Sequence, residues 1–393
     1  VFDVYRLLNI WKYLIVLLCS LKMIIIMPYI LSILPAPKIS YTLIKAIKTI
    51  SVVSFFYSAI VSSTTMVDLP SWQHSVLPHS PSLRGSAIID DSLWVSGSNN
   101  AVFVSQDAGK TWLDKSVNSP LKTGFRDIAL FDKHTAIVMG VGSGEQSVLY
   151  KTFNGGDSWQ LLYQNKDETG FFDAIAFWDR ENGLLMGDPV GGFYMIKKTS
   201  DGGKTWRRIS IDKIPPLVEK EAAFAASGNT LIVGKQGKAW LTTGGFSASV
   251  YSSEDFGETW QRHAVPLFSE TQTAGGYGLA LNSQQQIFVV GGDYEQRPAS
   301  YSNIATFTNN QWRSVTTGQH GLRSAMSCQG DVCIATGKTS SDISYNSGET
   351  WQVLANPEGE KDDKGFYSLA SSKMMFLAAG SEGKVAVYSL RQK

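Results

Sequence analysis

The sequence of 393 residues predicts an all-β protein folded as one seven-bladed β-propeller. Three observations predict it: tryptophans at blade-length intervals, a parallel series of apolar runs ending in glycine, and strand sets at the two ends that complete one another. The tryptophans are Trp72, Trp112, Trp159, Trp206, Trp260, Trp312 and Trp351, spaced by 40, 47, 47, 54, 52 and 39 residues. The apolar runs are LWVSG from Leu93, AIVMG from Ala136, GLLMG from Gly183, TLIVG from Thr230, IFVVG from Ile287, VCIATG from Val332 and MFLAAG from Met375. Seven members in each series give one blade each.

Most of these runs follow another strand-like run, such as FRDIALF from Phe125, FFDAIAFW from Phe171, YGLAL from Tyr277, LRSAM from Leu322 or FYSLA from Phe366. A blade therefore reads as an inner strand, a second strand, a loop, a third strand, a tight turn and an outer strand opening on tryptophan. The last unit, from about Gly365 to Leu390, has no tryptophan strand after it, and SWQHSVLP from Ser71 has no three strands before it. Joined, they form a complete blade, with an N-terminal outer strand closing the ring and removing its open edges. The propeller is expected over residues 66–393, its strands starting near Leu69, as a monomer.

Residues 1–65 differ in kind. The run YLIVLLCSLKMIIIMPYILSIL from Tyr13 is interrupted by Lys22 and Pro28, which makes it an imperfect membrane helix. Downstream, Lys38, Lys45 and Lys48 precede the apolar run ISVVSFFYSAIV and the small residues Ser62 and Ser63, the order of a secretory signal. Met27 is an expected alternative start. This region predicts export to the periplasm or beyond, or an uncleaved anchor that holds the propeller outside the cytoplasm; the membrane is met only through this segment.

A net charge of +1 with 18% charged residues provides no field to gather nucleic acid, which is excluded as a partner. Of three cysteines, Cys19 lies in the apolar segment. Cys328 and Cys333, in CQGDVC, flank a Gly-Asp turn between strand-like runs, so they face each other across a hairpin as a disulfide or stay as two buried thiols. The pair is a poor zinc site, and no metal or cofactor motif is present.

The turn before each outer strand repeats a pattern: SQDAGKTW from Ser105, TSDGGKTW from Thr199 and SEDFGETW from Ser253, with TFNGGDSW from Thr152 and SYNSGETW from Ser344. Hydroxyl, carboxylate and ammonium groups side by side suggest catalysis, yet copies spread round a ring cannot converge on one centre. One carboxylate per turn also falls far short of calcium's six or more oxygen ligands. The pattern is read as structural. Asp107, Asp201 and Asp255 tie the turn's backbone, Gly109, Gly203, Gly257 and Gly348 take positive φ, and Trp112, Trp159, Trp206, Trp260 and Trp351 pack beneath. Asn154 and Asn346 replace the aspartate, which capping tolerates and carboxylate chemistry does not. The fifth copy, TFTNNQW, has lost the glycine and most of the motif.

These turns resemble the Asp-box (BNR) repeat of sialidases, sortilin-type receptors and the photosystem II stability/assembly-factor family. The stretch GFRDIALFD…VMG…VLYKTFNGGDSW is most similar to the last. The resemblance covers nearly all the chain after Pro70 and implies a propeller that binds protein and assembles a complex, photosystem II being the partner within that family.

Function is sought on the face opposite the signature turns, where inner strands start and second-to-third loops lie. Arg84, Arg126 and Arg323 occupy related positions there, as an anion-binding cluster or as partners of the rim acids Asp127, Asp173, Asp188 and Glu221. The loops GDPVGG from Gly187 and GGDYEQRPASY from Gly291 add Asp188, Asp293, Tyr294 and Glu295, and the insert TTGGFSAS from Thr242 covers part of the rim. The expected function is an exported, non-enzymatic propeller with a protein partner in the cell envelope. The alternative is a sialidase-like glycoside hydrolase, with Tyr277 or Tyr367 as nucleophile and Glu219 or Glu221 as its partner; a third, periplasmic redox chemistry, finds no cofactor motif.

Overall fold

The computed structural model describes residues 72–224, 227–296, 299, 301–317, 321–354 and 365–390. The expected export or anchor segment, residues 1–65, lies outside the described residues, with Cys19. Seven antiparallel four-stranded sheets are present. Blade 1 consists of Leu83–Ile89, Ser92–Gly97, Val102–Ser105 and Leu113–Asp114, from inside outwards. Blade 2 follows with Gly124–Leu130, Ala136–Val141, Val148–Thr152 and Gln160–Gln164, and blade 3 with Phe172–Phe177, Gly183–Val190, Phe193–Thr199 and Arg207–Arg208. Blade 4 has Leu231–Val233, Ala239–Thr243, Ser249–Ser253 and Gln261–Ala264, and blade 5 Ala274–Leu281, Ile287–Asp293, Ile304–Thr308 and Gln311–Ser314. Blade 6 has Ala325–Gln329, Val332–Thr336, Ser341–Ser344 and Gln352–Val353. In blade 7, Phe366–Ser371, Met375–Gly380 and Lys384–Ser389 are joined by Trp72–Val76, which pairs Trp72 with Tyr388 and Val76 with Lys384.

In six blades the apolar runs are the second strands, and they read as continuous apolar stretches because both faces of each blade are covered by a neighbour. In blade 4 the expectation is corrected, since TLIVG forms the innermost strand, Leu231–Val233, and Ala239–Thr243 is the second. Leu93, Trp94, Val95, Leu184, Leu185, Met186, Phe376 and Leu377 are all fully buried. The core is divided into clusters between adjacent blades, and one joins Leu83 and Leu93 of blade 1 to Leu377 and Val385 of blade 7. Trp72 packs against Phe366 and Tyr388 at centroid distances of 5.6 and 5.7 Å.

The signature turns share one hydrogen-bond scheme. In blade 1, Gly109 N donates to Ser105 Oγ at 2.8 Å, Thr111 N to Asp107 Oδ1 at 2.9 Å, and Thr111 Oγ1 to Asp107 Oδ2 at 2.7 Å. Blades 3 and 4 repeat it around Asp201 and Asp255. Asn154 serves in blade 2 because its Oδ1 still accepts from Ser158 N at 3.0 Å, while its Nδ2 donates to the Ser158 hydroxyl. Asn346 does the same with Thr350. The turn closes on its tryptophan in blades 3, 4 and 6, where Trp206, Trp260 and Trp351 donate to the carbonyls of Gly203, Gly257 and Gly348. In blade 2, Trp159 donates instead to Lys115 of the preceding blade. Cys328 and Cys333 are directly paired in their hairpin and joined by a disulfide, with Cα atoms 4.1 Å apart.

Candidate functional site: the channel mouth

One local device recurs where the inner strands begin. In blades 1, 2, 3, 5 and 7 the pairing with the second strand slips by one residue, and the residues inside the slips are Arg84, Arg126, Asp173, Tyr277 and Tyr367. A bulge of this kind lifts one residue out of the alternation and re-aims its side chain. Five equivalent bulges thus act on five chemically capable residues at one end of the inner strands, on the face opposite the signature turns.

Four of the five, all but Asp173, line a cavity of about 400 Å3. Arg84 lies flat over Tyr367 with its guanidinium carbon 3.9 Å from the ring centroid, and Lys338 Nζ approaches the same ring at 5.0 Å. Phe224 stacks on Tyr277 at 4.6 Å, and Tyr294, 39% exposed, completes the wall. Burial pulls Arg84 and Arg126 below the ordinary arginine range, and the charge of Arg84 lowers Arg126 further while Asp173 opposes. Two half-buried like charges that raise each other's energy stabilise an anion placed between them, and aromatic faces give an organic ligand apolar contact.

The third arginine does not join them. Arg323 occupies the equivalent sequence position in blade 6 but is completely buried, with Nη2 and Nε 2.6 and 2.9 Å from Asp342 Oδ2 and Nη2 donating to Ser340. Asp342 on the third strand of the same blade is equally buried, so the side chain is drawn into the sheet instead of the mouth. The expected three-arginine cluster is corrected to Arg84 and Arg126, with Lys338 as a third cation.

The rim acids divide. Asp127 takes backbone N–H groups of Ile128 and Ile175, each at 2.8 Å, and is pushed up to about 7 by burial against those bonds. Asp173 is raised well above the carboxylate range by burial, then by Asp188, with Arg126 opposing; Asp188 is itself raised by burial. Asp293 is a loop organiser: it accepts hydroxyls of Thr271 and Thr273 at 2.6 and 2.7 Å and the backbone N–H of Glu295. Glu295 is exposed. The expected GDPVGG loop is mostly strand, since the second strand runs to Val190 and the third starts at Phe193, leaving Gly191 and Gly192 at positive φ as a two-residue turn. The TTGGFSAS insert is fastened to blade 5, with Gly245 N on Ala274 O and Phe246 N on Thr271 O.

A hydrolase of the sialidase type needs an accessible tyrosine activated by a glutamate. Glu221 is hydrogen-bonded to the hydroxyls of Tyr251, at 2.9 Å, and Thr243, at 2.6 Å, and both of these are fully buried. The Tyr277 hydroxyl donates to Thr273 O, Tyr367 faces Arg84, and Glu219 is 89% exposed beside Lys220. The tyrosine–glutamate pairing occurs, but inside the wall between blades and not at the mouth. Among the described residues no group of three or more metal-ligating side chains is assembled.

Phe224 and Lys338 were not expected at the mouth. Lys338 had a signal, following VCIATG at the start of a second-to-third loop like Tyr294; Phe224 had none.

No protein-family model matches the chain, and no curated protein matches its sequence. Solved structures share its fold. A structure described as YCF48 bound to D1 peptide is 16% identical with a TM-score of 0.61, covering 84% of this chain and 100% of that one. YCF48 from Cyanidioschyzon merolae is 16% identical with a TM-score of 0.57, over 81% and 99% of the two chains. A catalytically inactive virginiamycin B lyase from Staphylococcus aureus, with quinupristin, is 10% identical with a TM-score of 0.61, over 82% and 99%. At these identities the likeness is one of fold: the chain is similar to propellers that include an enzyme and a peptide-bound protein.

Proposed function

We propose that the protein is an exported, non-enzymatic propeller that binds an acidic protein segment at its channel mouth and serves the assembly of an envelope complex. The observation that carries this reading is the pairing of half-buried Arg84 and Arg126 with a wall of aromatic rings in one cavity. The guanidinium forks suit carboxylates, side-chain or C-terminal, and the rings of Tyr367, Tyr277 and Phe224 suit the flanking apolar residues. The peptide-bound neighbour supports a polypeptide ligand in a propeller of this size. The Asp-box resemblance of the signature turns and the basic-then-apolar order of residues 38–63 support the rest, an assembly role outside the cytoplasm. The Cys328–Cys333 disulfide suits such a compartment.

The test is fluorescence anisotropy with labelled acidic and neutral peptides, with and without a free C-terminal carboxylate. Arg84→Ala with Arg126→Ala is expected to weaken acidic-peptide binding by roughly ten- to a hundredfold, the value of one or two charge-assisted hydrogen bonds. Equal affinity for neutral peptides, or an unaffected double variant, overturns the reading.

A further inference from the structure

A second cavity, of about 390 Å3, lies between blades 4 and 5 on the signature face, and the loss of one turn explains it. In blades 1, 2, 3, 4 and 6 the second turn glycine lies against the preceding blade. A Cβ added to Gly109 would meet Val387, to Gly156 Lys115, to Gly203 Leu162, to Gly257 Leu184 and to Gly348 Phe288, all at 2.6–3.1 Å. Blade 5 has no such glycine. Thr308 pairs with Gln311 across Asn309 and Asn310, both at positive φ, a two-residue hairpin of the kind that accepts asparagine. That hairpin is too short to reach across to blade 4, and the space beside Trp240 and Ile287 stays open.

The lining is specific in type. Phe307 and Trp312 are partly exposed aromatic rings 5.6 Å apart, and Trp240 backs them. The Trp312 indole N–H is buried with no hydrogen-bond partner among the described residues, as are those of Trp72 and Trp112, whereas the corresponding N–H groups of Trp206, Trp260 and Trp351 reach a turn carbonyl. Of the three orphans, Trp312 is the one that lines this cavity. A buried unsatisfied donor is costly, and an incoming oxygen acceptor relieves it. The amides of Gln261 and Gln285 are exposed at the rim and make no side-chain hydrogen bond within the described fold. The charged groups are already engaged: Lys238 pairs with Glu254 at 3.1 Å, and the Asp255 carboxylate accepts hydrogen bonds from Thr259 and Ser253. His263 lies 3.1 Å from the Ser252 hydroxyl.

We propose that this cleft binds a neutral saccharide. Aromatic faces take the apolar C–H face of a sugar ring, while free amides and the orphan indole N–H take its hydroxyls. The one lysine is held by Glu254 and Asp255 by its own turn, which leaves the aromatic and amide groups to meet a ligand, and the volume falls in the range of about 300–1,000 Å3 usual for small-molecule sites. The site is independent of the channel mouth and lies on the opposite face.

The full-length protein is titrated with cellotetraose, maltotetraose and tetra-N-acetylchitotetraose while tryptophan emission and heat are recorded. At least one is expected to bind with a change in emission. Trp312→Phe, which keeps a ring and removes the N–H, is expected to weaken it by roughly tenfold, the value of one hydrogen bond to a buried donor. Grafting the blade 1 turn Ser105–Thr111 in place of Thr308–Gln311 fills the cleft and is expected to abolish binding, with circular dichroism reporting that the fold is kept. If that graft does not fold, Gln285→Trp fills the rim instead. Absence of binding for all three sugars at millimolar concentration, or binding undiminished by Trp312→Phe and the cleft-filling variant, overturns the proposal.

Discussion

Arg323 offers the sharpest quantitative test, because sequence position groups it with the mouth arginines while its surroundings make it structural. Arg323 and Asp342 are both completely buried, joined by two hydrogen bonds of 2.6 and 2.9 Å, with Ser340 as a further acceptor. Replacing Arg323 by Met strands a carboxylate in the sheet, and replacing Asp342 by Leu strands a guanidinium. Removing one partner of a buried pair costs about 3–5 kcal/mol, whereas replacing both by well-packed apolar residues ranges from neutral to stabilising. Each single variant should therefore lose about 3–5 kcal/mol, and the double variant Arg323→Met with Asp342→Leu should recover most of that loss. The assay is equilibrium denaturation by urea with fluorescence, all four proteins compared at one pH and salt concentration. At temperatures where it remains folded, the Arg323→Met protein should bind acidic peptide as the wild type does. Single variants within about 1 kcal/mol of wild type, or a double variant as unstable as the sum of the singles, would refute the argument. Loss of peptide binding by the folded Arg323→Met protein would return Arg323 to the site.

Asp107 is held down to about 2 by the backbone N–H and hydroxyl of Thr111, then by Ser105. Burial pulls Asp201 the other way, but the hydroxyl and backbone N–H of Thr205 and the hydroxyl of Thr199 prevail and hold it at about 2 as well. Both folded values lie below the unfolded one of about 3.9, so this stability is complete above that pH and is lost as pH falls towards 2. Asp107→Asn with Asp201→Asn should flatten the fall in Tm between about pH 4 and 2 and change little at pH 7, since Asn154 and Asn346 already serve in two turns. A Tm profile that follows the wild type at every pH contradicts the scheme. Gly348 sits at φ +91° with the Phe288 ring 2.6 Å from where a Cβ would lie, so Gly348→Ala should cost about 1–3 kcal/mol in urea denaturation. A neutral result would mean that the turn does not press on its neighbour.

How much of this was legible beforehand depended on repetition. Blade number was readable because Trp72 to Trp351 and the glycine-ended runs recur independently, and strand order followed in six blades; in blade 4 the run TLIVG is the innermost strand and not the second, because an apolar run looks alike in either place. The turns were legible too, because Asp107 and Asn154 stand at matched positions and any account had to suit both side chains. The mouth was only half legible. Arg84, Arg126 and Arg323 share a place in their repeats, but the bulges that re-aim the first two are a register property with no residue signature. Asp342, which draws Arg323 away, sits in a short polar strand and gives no sign of its partner. Phe224 precedes a strand of only three residues, Leu231–Val233, in the least regular blade, where periodicity offers no guide. The open cleft between blades 4 and 5 had a sequence trace, the missing glycine of TFTNNQW, whose meaning depends on where the other turn glycines rest.

The central claim, that the channel mouth receives a protein segment through Arg84 and Arg126, is tested most directly by photo-crosslinking in an envelope fraction. A photoreactive residue at Lys338, beside Tyr367, is compared with one at Thr111 on the opposite face. The account predicts a discrete protein adduct from position 338 that disappears with Arg84→Ala and Arg126→Ala, and none from position 111. Adducts from position 111 alone, or an adduct at 338 that persists without the two arginines, would contradict it.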